Sequence, residues 1–364
     1  MHSPVFELLL LSLKSDEDTA SERAAAIITG GGVLWDELVR LAKLHCIRPQ
    51  LLGLLTRMPS GVVPDSIVSG LQDECRTILI NQLNYSAEFF RVKDILAGEG
   101  IRIIPFKGFW MAHEVYGSIG NRESFDVDVL TDSSSLERIR ELMTGAGYTG
   151  EHRYRGLTIN EIMKSFREYN FDRIDEGRSV FHIEFHWGIC PPGYGMPVSV
   201  SDLSDHITGG TFQGRNLEVF TPAAQLLLAL LHHGGKDRFV LLKQVNDVAM
   251  LVRNGGGIDW KWLANAMRRY NAEPLLYTAL NLASRVTGIR VPAGLEKQVN
   301  TVGIHRLADD RMKVMALPPE RRNTISFNLG NWLFRMRSRK GFTTRLKLTA
   351  ATARALLSGT GGNE

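Results

Sequence analysis

Asp126 and Asp128 lie in the run Ser124–Thr131 (SFDVDVLT), where polar and apolar residues alternate. A period of two is the pattern of a strand, and it sends both carboxylates to one face. Two strand steps of roughly 3.3 Å put their α-carbons about 7 Å apart. Phe125, Val127 and Val129 go to the other face, toward a core. Neighbouring ionised carboxylates repel unless a cation lies between them. Hard oxygen donors of this kind suit Mg2+ or Mn2+. Alone, the pair also reads as the solvated face of a sheet, the commoner use of the pattern.

The run Ser179–Trp187 (SVFHIEFHW) alternates in the same way. His182, Glu184 and His186 share one face, and Ile183, Phe185 and Trp187 share the other. On a neighbouring strand, Glu184 would supply a third carboxylate. The histidines also suit zinc, but the spacing is not the His-Glu-x-x-His of helical zinc proteases. A third feature is Lys107-Gly108, between the β-branched run IRIIPF and a helical run FWMAHEVYG. A helix start offers free N–H groups to an anion, glycine permits close approach, and lysine adds charge. Without a ligand, the same dipeptide is an ordinary turn.

Other phosphate and nucleophile signatures are missing. HHGGKDRF has Asp237 where a P-loop requires Ser or Thr, and neither Gly-x-Gly-x-x-Gly nor Gly-x-Ser-x-Gly occurs. Cys46, Cys75 and Cys190 are too few and scattered for a disulfide framework or a zinc ribbon, which suits a reducing cytoplasm.

These residues need elements to hold them. Residues 1–98 read as helices, with Pro49 marking a break and Gly98-Glu99-Gly100 a stop. Residues 99–215 alternate helix and strand, with Thr149 to Gly177 of no clear pattern. Helices return over 216–320. There His232 and His233 close a leucine-rich helix, where cations suit the dipole. Lys243 and Asp247, four apart, are placed to pair with each other. Trp260 and Trp262 follow a cap and read as packing residues.

With 364 residues, 44% hydrophobic and 23% charged, the chain is globular in composition and long enough for two or three folding units. No run approaches the roughly 18 apolar residues of a membrane span. The opening MHSPVFELLLLSLKSD reads as an amphipathic helix: it has no basic lead-in, Glu7 interrupts it, and no small-residue cleavage site follows. The net charge of +4 is uneven. Arg321 to Asn363 holds nine basic and no acidic residues, leaving the rest mildly acidic. This basic tail, 321–364, reads either as a solvated helix or as a surface for an anionic partner or membrane.

The order of strand, Lys-Gly, helix, strand with Asp-x-Asp, helix and strand with Glu184 resembles the nucleotidyltransferase fold of the DNA polymerase β superfamily. More closely, it is similar to the bacterial group called nucleotidyltransferase family 5. That likeness rests on IIPFKG, RESFDVDVL and EFHW, and on the flanks LAKLHCIRPQLL and LLKQVNDVAMLV, over roughly residues 30–295. It implies an α+β fold: a small mixed sheet with helices, flanked by N- and C-terminal helical regions. It also implies a cytoplasmic, metal-dependent enzyme that moves a nucleoside monophosphate from ATP or another triphosphate to a hydroxyl or phosphate acceptor. Asp126, Asp128 and Glu184 would hold Mg2+ or Mn2+, and Lys107 and the Gly108 N–H would meet the triphosphate. Arg122 would reach a phosphate or a carboxylate. His186, and less directly His182, would orient Glu184 or touch the acceptor. Where the superfamily usually has Gly-Ser, this chain has Lys107-Gly108, and its third carboxylate is Glu rather than Asp. A small-molecule, peptide or protein acceptor is favoured over RNA, because the one basic stretch, Arg335 to Lys347, is remote from the core in sequence. The other expectations are a non-catalytic binding module of the same fold, or a peripheral membrane or complex-forming protein that acts through its tail.

Overall fold

The computed structural model describes residues 3–322 and 324–357, with side chains as far as Ala351. Its first part is helical, as the apolar spacing predicts. Helices span Pro4–Leu11, Glu17–Thr29, Trp35–Leu44, Arg48–Leu55 and the 33-residue Asp65–Ala97. Ser3 caps the first helix, and Val5, Phe6, Leu8, Leu9 and Leu11 bury its apolar side. Pro49 falls in the first turn of Arg48–Leu55, where its missing N–H costs nothing.

Five strands form a mixed sheet in the order β1-β2-β5-β4-β3. They are β1 (Ile104–Pro105), β2 (Val127–Leu130), β3 (Thr149–Gly150), β4 (Glu168–Asp175) and β5 (Arg178–His186). β2 and β5 are parallel and the other pairs antiparallel. One face is apolar: Val127, Val129, Phe171, Ile183 and Phe185 pack with Phe89, Phe90 and Leu96 of the long helix and with Leu136, Ile139 and Met143 of the Leu136–Gly145 helix. The other face carries the candidate polar residues. This small mixed sheet with helical flanks is the α+β architecture expected.

Three details differ from the sequence reading. β2 begins at Val127, so Phe125 precedes the alternating run and is exposed rather than buried. The unpatterned stretch holds β4, joined to β5 through Glu176 and Gly177, both at positive φ. Positive φ at both positions is the two-residue turn that suits strand twist. A hairpin of β6 (Ile207–Phe212) and β7 (Arg215–Phe220) spans residue 215, where only helix was expected to follow.

Beyond it, Pro222–Ala229 runs into a π-helical turn, Leu230–Lys236, and helices follow at Leu242–Asn254, Trp260–Arg269, Glu273–Thr287 and Val302–Met315. The basic tail forms two more, Ile325–Arg337 and Phe342–Leu357. It is partly packed. Phe334 and Leu348 are buried, and Arg339 donates to the carbonyls of Tyr194, Gly195 and Tyr270. Among the described residues, no helix is long and apolar enough to cross a membrane.

Candidate active site

The parallel register sets Asp128 beside Glu184 and Leu130 beside His186. Ligand atoms of Asp128, Glu184 and His186 lie within 4.8 Å of one another. His186 Nε2 is 3.2 Å from Asp128 Oδ1 and 3.1 Å from Glu184 Oε2. Lys107 Nζ reaches the same Asp128 Oδ1 at 2.7 Å. Asp128 Oδ2 is buried with no hydrogen-bond partner. Asp126 lies at the rim: it is half-buried, its Oδ1 accepts from Ser124 Oγ at 3.0 Å, and it stands outside that tight group.

β4 supplies a row that the sequence reading missed. Glu168, Asn170 and Asp172 stand opposite His186, Glu184 and His182. Asn170 Nδ2 donates to Glu184 Oε1 at 3.2 Å. His182 bridges Asp172 Oδ1 at 2.9 Å and Glu184 Oε1 at 3.4 Å. Lys236, from the π-helical turn, reaches Glu168 Oε2 at 2.8 Å. The signal was present in Glu-Tyr-Asn-Phe-Asp, which alternates as strictly as β2.

The π-helical turn brings in His232, whose Nε2 is 2.9 Å from Lys107 Nζ. An ammonium only donates, so Nε2 accepts and the ring proton sits on Nδ1, facing Asp237 Oδ2 at 3.0 Å. His232, His233 and Asp237 also lie close enough to chelate. However, the Lys107 bond makes His232 Nδ1 an N–H, which removes it as a ligand. The helix-dipole reading of His232 and His233 is therefore replaced by specific partners.

Asp247 does not pair with Lys243. It turns inward and accepts from Arg122 Nε and Nη2 at 2.8 Å each, from Tyr116 Oη at 2.7 Å and from His233 Nε2 at 2.9 Å. The fork of Arg122 is thus occupied by a carboxylate, and Nη1 alone is left buried without a partner. Arg122 ties the segment before Asp126 to the Leu242–Asn254 helix.

Gly108 is the first residue of the Gly108–Tyr116 helix, which has no side-chain cap. Its φ is +62°, and a Cβ there would lie 3.3 Å from the Asp126 carbonyl oxygen. The positive φ calls for glycine, and a Cβ would also crowd that carbonyl. The N–H groups at this helix start have no side-chain cap and follow directly on Lys107.

Burial pushes the Asp128 carboxyl up, but Lys107 and the His186 hydrogen bond outweigh it and hold the pKa low. Glu184 is likewise held well below the usual range, with His182 and His186 overcoming burial. Asp126 is pushed up by burial and by Asp128. Burial opposes charge on His186, yet its bonds to Asp128 and Glu184 raise it to about 9. His182 also rises to about 9 through Glu184 and Asp172. Lys107 and Lys236 are both raised, because the facing carboxylates more than offset burial. His232 falls to about 4 through burial and the Lys107 charge. The face is therefore a closed, internally neutralised set of carboxylates and cations.

Carboxylates from adjacent strands of a small mixed sheet, with a lysine and a helix N-terminus at their edge, define a protein of the nucleotidyltransferase class. The family model described as uncharacterised nucleotidyltransferase matches residues 31–288, and the chain belongs to that family. The matched span contains the sheet, the π-helical turn and Asp247. No curated protein matches the chain.

Proposed function

We propose that this nucleotidyltransferase moves a nucleoside monophosphate from ATP or another nucleoside triphosphate to a hydroxyl or phosphate acceptor, releasing pyrophosphate. The observation that carries the reading is the meeting of Asp128 and Glu184 beside Lys107 and an uncapped helix start. The donor set fits a divalent ion: hard carboxylate oxygens converge, and one of them, Asp128 Oδ2, is buried without a partner. Asp126, Asp128 and Glu184 would hold Mg2+ or Mn2+. When bound, the ion supplies Lewis-acid stabilisation of charge on the phosphates and lowers the pKa of an acceptor hydroxyl.

The remaining work falls to the chain. Lys107 and the N–H groups from Gly108 onward neutralise the triphosphate. Asn170 and His182 fix the orientation of Glu184, and His186 holds Glu184 and Asp128 at a set spacing. Arg122 positions the strand entry rather than serving as a principal phosphate ligand. The acceptor oxygen bonds to the α-phosphorus, the α–β bridge breaks, and the electron pair leaves with pyrophosphate. A small molecule, peptide or protein suits the acceptor role better than RNA, since Arg335 and Arg339 of the basic stretch are buried within the fold. A bacterial cytoplasmic setting is part of this proposal, on the family resemblance and the three scattered cysteines of the sequence.

The test is incubation with each α-labelled nucleoside triphosphate, Mg2+ and a cell extract, reading transferred label and pyrophosphate together. Combining Asp126→Asn with Asp128→Asn should abolish metal-dependent binding of a non-hydrolysable triphosphate and preserve the circular dichroism spectrum. Unchanged binding in that variant removes the carboxylates from the mechanism.

A further inference from the structure

A helix on the surface of a soluble body normally turns its apolar stripe inward and its polar side to water. The two C-terminal helices depart from that rule. On Ile325–Arg337 the buried positions are Asn331, Phe334 and Arg335. At about 100° per residue, the opposite side carries Ile325, Leu329, Trp332, Leu333 and Met336, an unbroken apolar stripe. Ile325 is 87% exposed and Leu329 is exposed, while Trp332, Leu333 and Met336 are half-buried. On Phe342–Leu357 the body side holds the buried Leu348 and Thr344, whose Oγ1 accepts from Asn271 Nδ2 at 3.1 Å. The opposite side presents Phe342, 82% exposed, and Leu346. Arg345 and Lys347, one residue either side of Leu346, are exposed and project to its two flanks.

We propose that this outward face docks on an anionic lipid bilayer, with the apolar residues in the headgroup–acyl boundary and the cations among the headgroups. Residues 321–363 contain no acidic side chain. Of the exposed cations, Arg337 lies 3.7 Å from Asp310 and Lys340 lies 3.1 Å from Glu273, whereas Arg321 and Lys347 have no ion pair among the described residues. The packed Arg335 and Arg339 take no part. The proposal stands apart from the nucleotidyltransferase reading, and its test contains neither nucleotide nor metal.

Charge and shape together choose the lipid. In a two-fold dimer built on this face, the same patch would meet itself. Arg345 and Lys347 would then oppose their own copies, with no carboxylate on either helix to answer them. A nucleic acid would neutralise the cations but leave Ile325, Leu329 and Leu346 without a partner, since branched aliphatic side chains offer no face for base stacking. A bilayer surface satisfies both sets at once. An apolar strip flanked by cations is the pattern of a helix that lies in the interface plane, and Trp332 and Phe342 are aromatic residues of the kind that settle at headgroup level. Among the described residues no helix is long and apolar enough to cross a membrane, so the contact is one of lying on the surface.

The experiment is co-sedimentation of the full chain with vesicles of phosphatidylcholine and phosphatidylglycerol in equal parts, and with vesicles of phosphatidylcholine alone. The expected result is partition onto the anionic vesicles, weak partition onto the neutral ones, and release by salt. Phe342→Ser combined with Leu346→Ser should weaken the anionic partition roughly tenfold or more by removing inserted apolar surface. Arg321→Gln and Lys347→Gln should each weaken it roughly fivefold, the share of one cation near an anionic surface. All four positions are exposed, so the variants should keep the parent's thermal midpoint, and a variant that loses it is replaced by Ile325→Ser, on the other helix. A wild-type chain that stays in the supernatant with anionic vesicles overturns the proposal. So does partition that neither the apolar nor the basic substitutions reduce, because some other surface would then be binding. A concentration-dependent dimer that Phe342→Ser dissolves would assign the face to a second copy, and retention on single-stranded nucleic acid without retention on anionic vesicles would assign it to that polymer. Either result overturns the lipid assignment.

Discussion

At the residue scale, two histidines are kept neutral by their surroundings and give the fold a definite response to acid. His45 is fully buried, its Nδ1 accepts from the Leu242 N–H at 3.1 Å, and burial together with Arg322 lowers it to about 3. His232 is lowered to about 4 by burial and Lys107. An unfolded histidine titrates near 6.5. Both folded values are lower, so the unfolded chain binds these protons first. Their contribution to stability is complete above about pH 6.5 and is lost progressively as pH falls from there to about 4 for His232 and about 3 for His45. Each group adds up to about 1.4 kcal/mol per pH unit within that window. Urea unfolding between pH 7 and 4 should show stability falling with acid, and His45→Gln should flatten the slope. An unchanged slope in that variant would mean His45 is not held neutral. From sequence, His45 is one residue in LAKLHCIRPQ with nothing to mark it as buried, because its acceptor role depends on a backbone N–H far along the chain.

At the element scale, the sequence showed most of what local pattern can encode. β2 and β5 were legible because Asp126-Val-Asp128 and His182-Ile-Glu184-Phe-His186 alternate, and the pairing of Asp128 with Glu184 follows once the strands are adjacent. β4 was not read, although Glu168 to Asp172 alternates equally well. Its acidic and amide side chains left the stretch without a clear pattern, and their reason for being there is the partner strand. The π-helical turn was beyond reach for another reason: a wide turn in LLHHGGK carries no local signature, and Gly234 and Gly235 read as a stop. In the structure both glycines are buried, and a Cβ on either would meet Phe239 and Leu275, or Met196 and Cys190, within 3.0 Å. The same gap hid the partner of Asp247. Spacing favoured Lys243, and tertiary packing gave it Arg122. That buried pair fastens the segment before β2 to the Leu242–Asn254 helix. Arg122→Ala leaves Asp247 charged and fully buried, with only His233 and Tyr116 to answer it. The expected cost is about 3–5 kcal/mol, read as a lower chemical-denaturation midpoint. Loss of less than about 1 kcal/mol, the value of an exposed pair, would show that the link does not bear on stability.

At the scale of the whole molecule, the basic tail divides into a packed part and an outward part, and composition alone could not separate them. Its charge suggested an anionic partner. Yet Arg335 lies over the Tyr194 ring at 4.0 Å, and Arg339 is spent on three backbone carbonyls. The Ile325–Arg337 helix is fastened to Val302–Met315 in the same way. Phe334 is 1% exposed, and the buried Arg311 guanidinium lies 4.4 Å over its ring and donates to Asn331 Oδ1 at 2.7 Å. By contrast Ile325, Leu329, Phe342 and Leu346 face outward. If the tail is part of the folded body, the two sets must respond differently to substitution. Phe334→Ala opens a cavity and strips a face from a buried cation, so it should cost about 3–5 kcal/mol and lower the thermal midpoint. Phe342→Ser removes exposed apolar surface and should stay within about 0.5 kcal/mol of wild type. Calorimetry on the two variants measures both. A Phe334→Ala protein as stable as the parent would mean that the tail helices ride on the body without supporting it, and their charge would then be free for a partner.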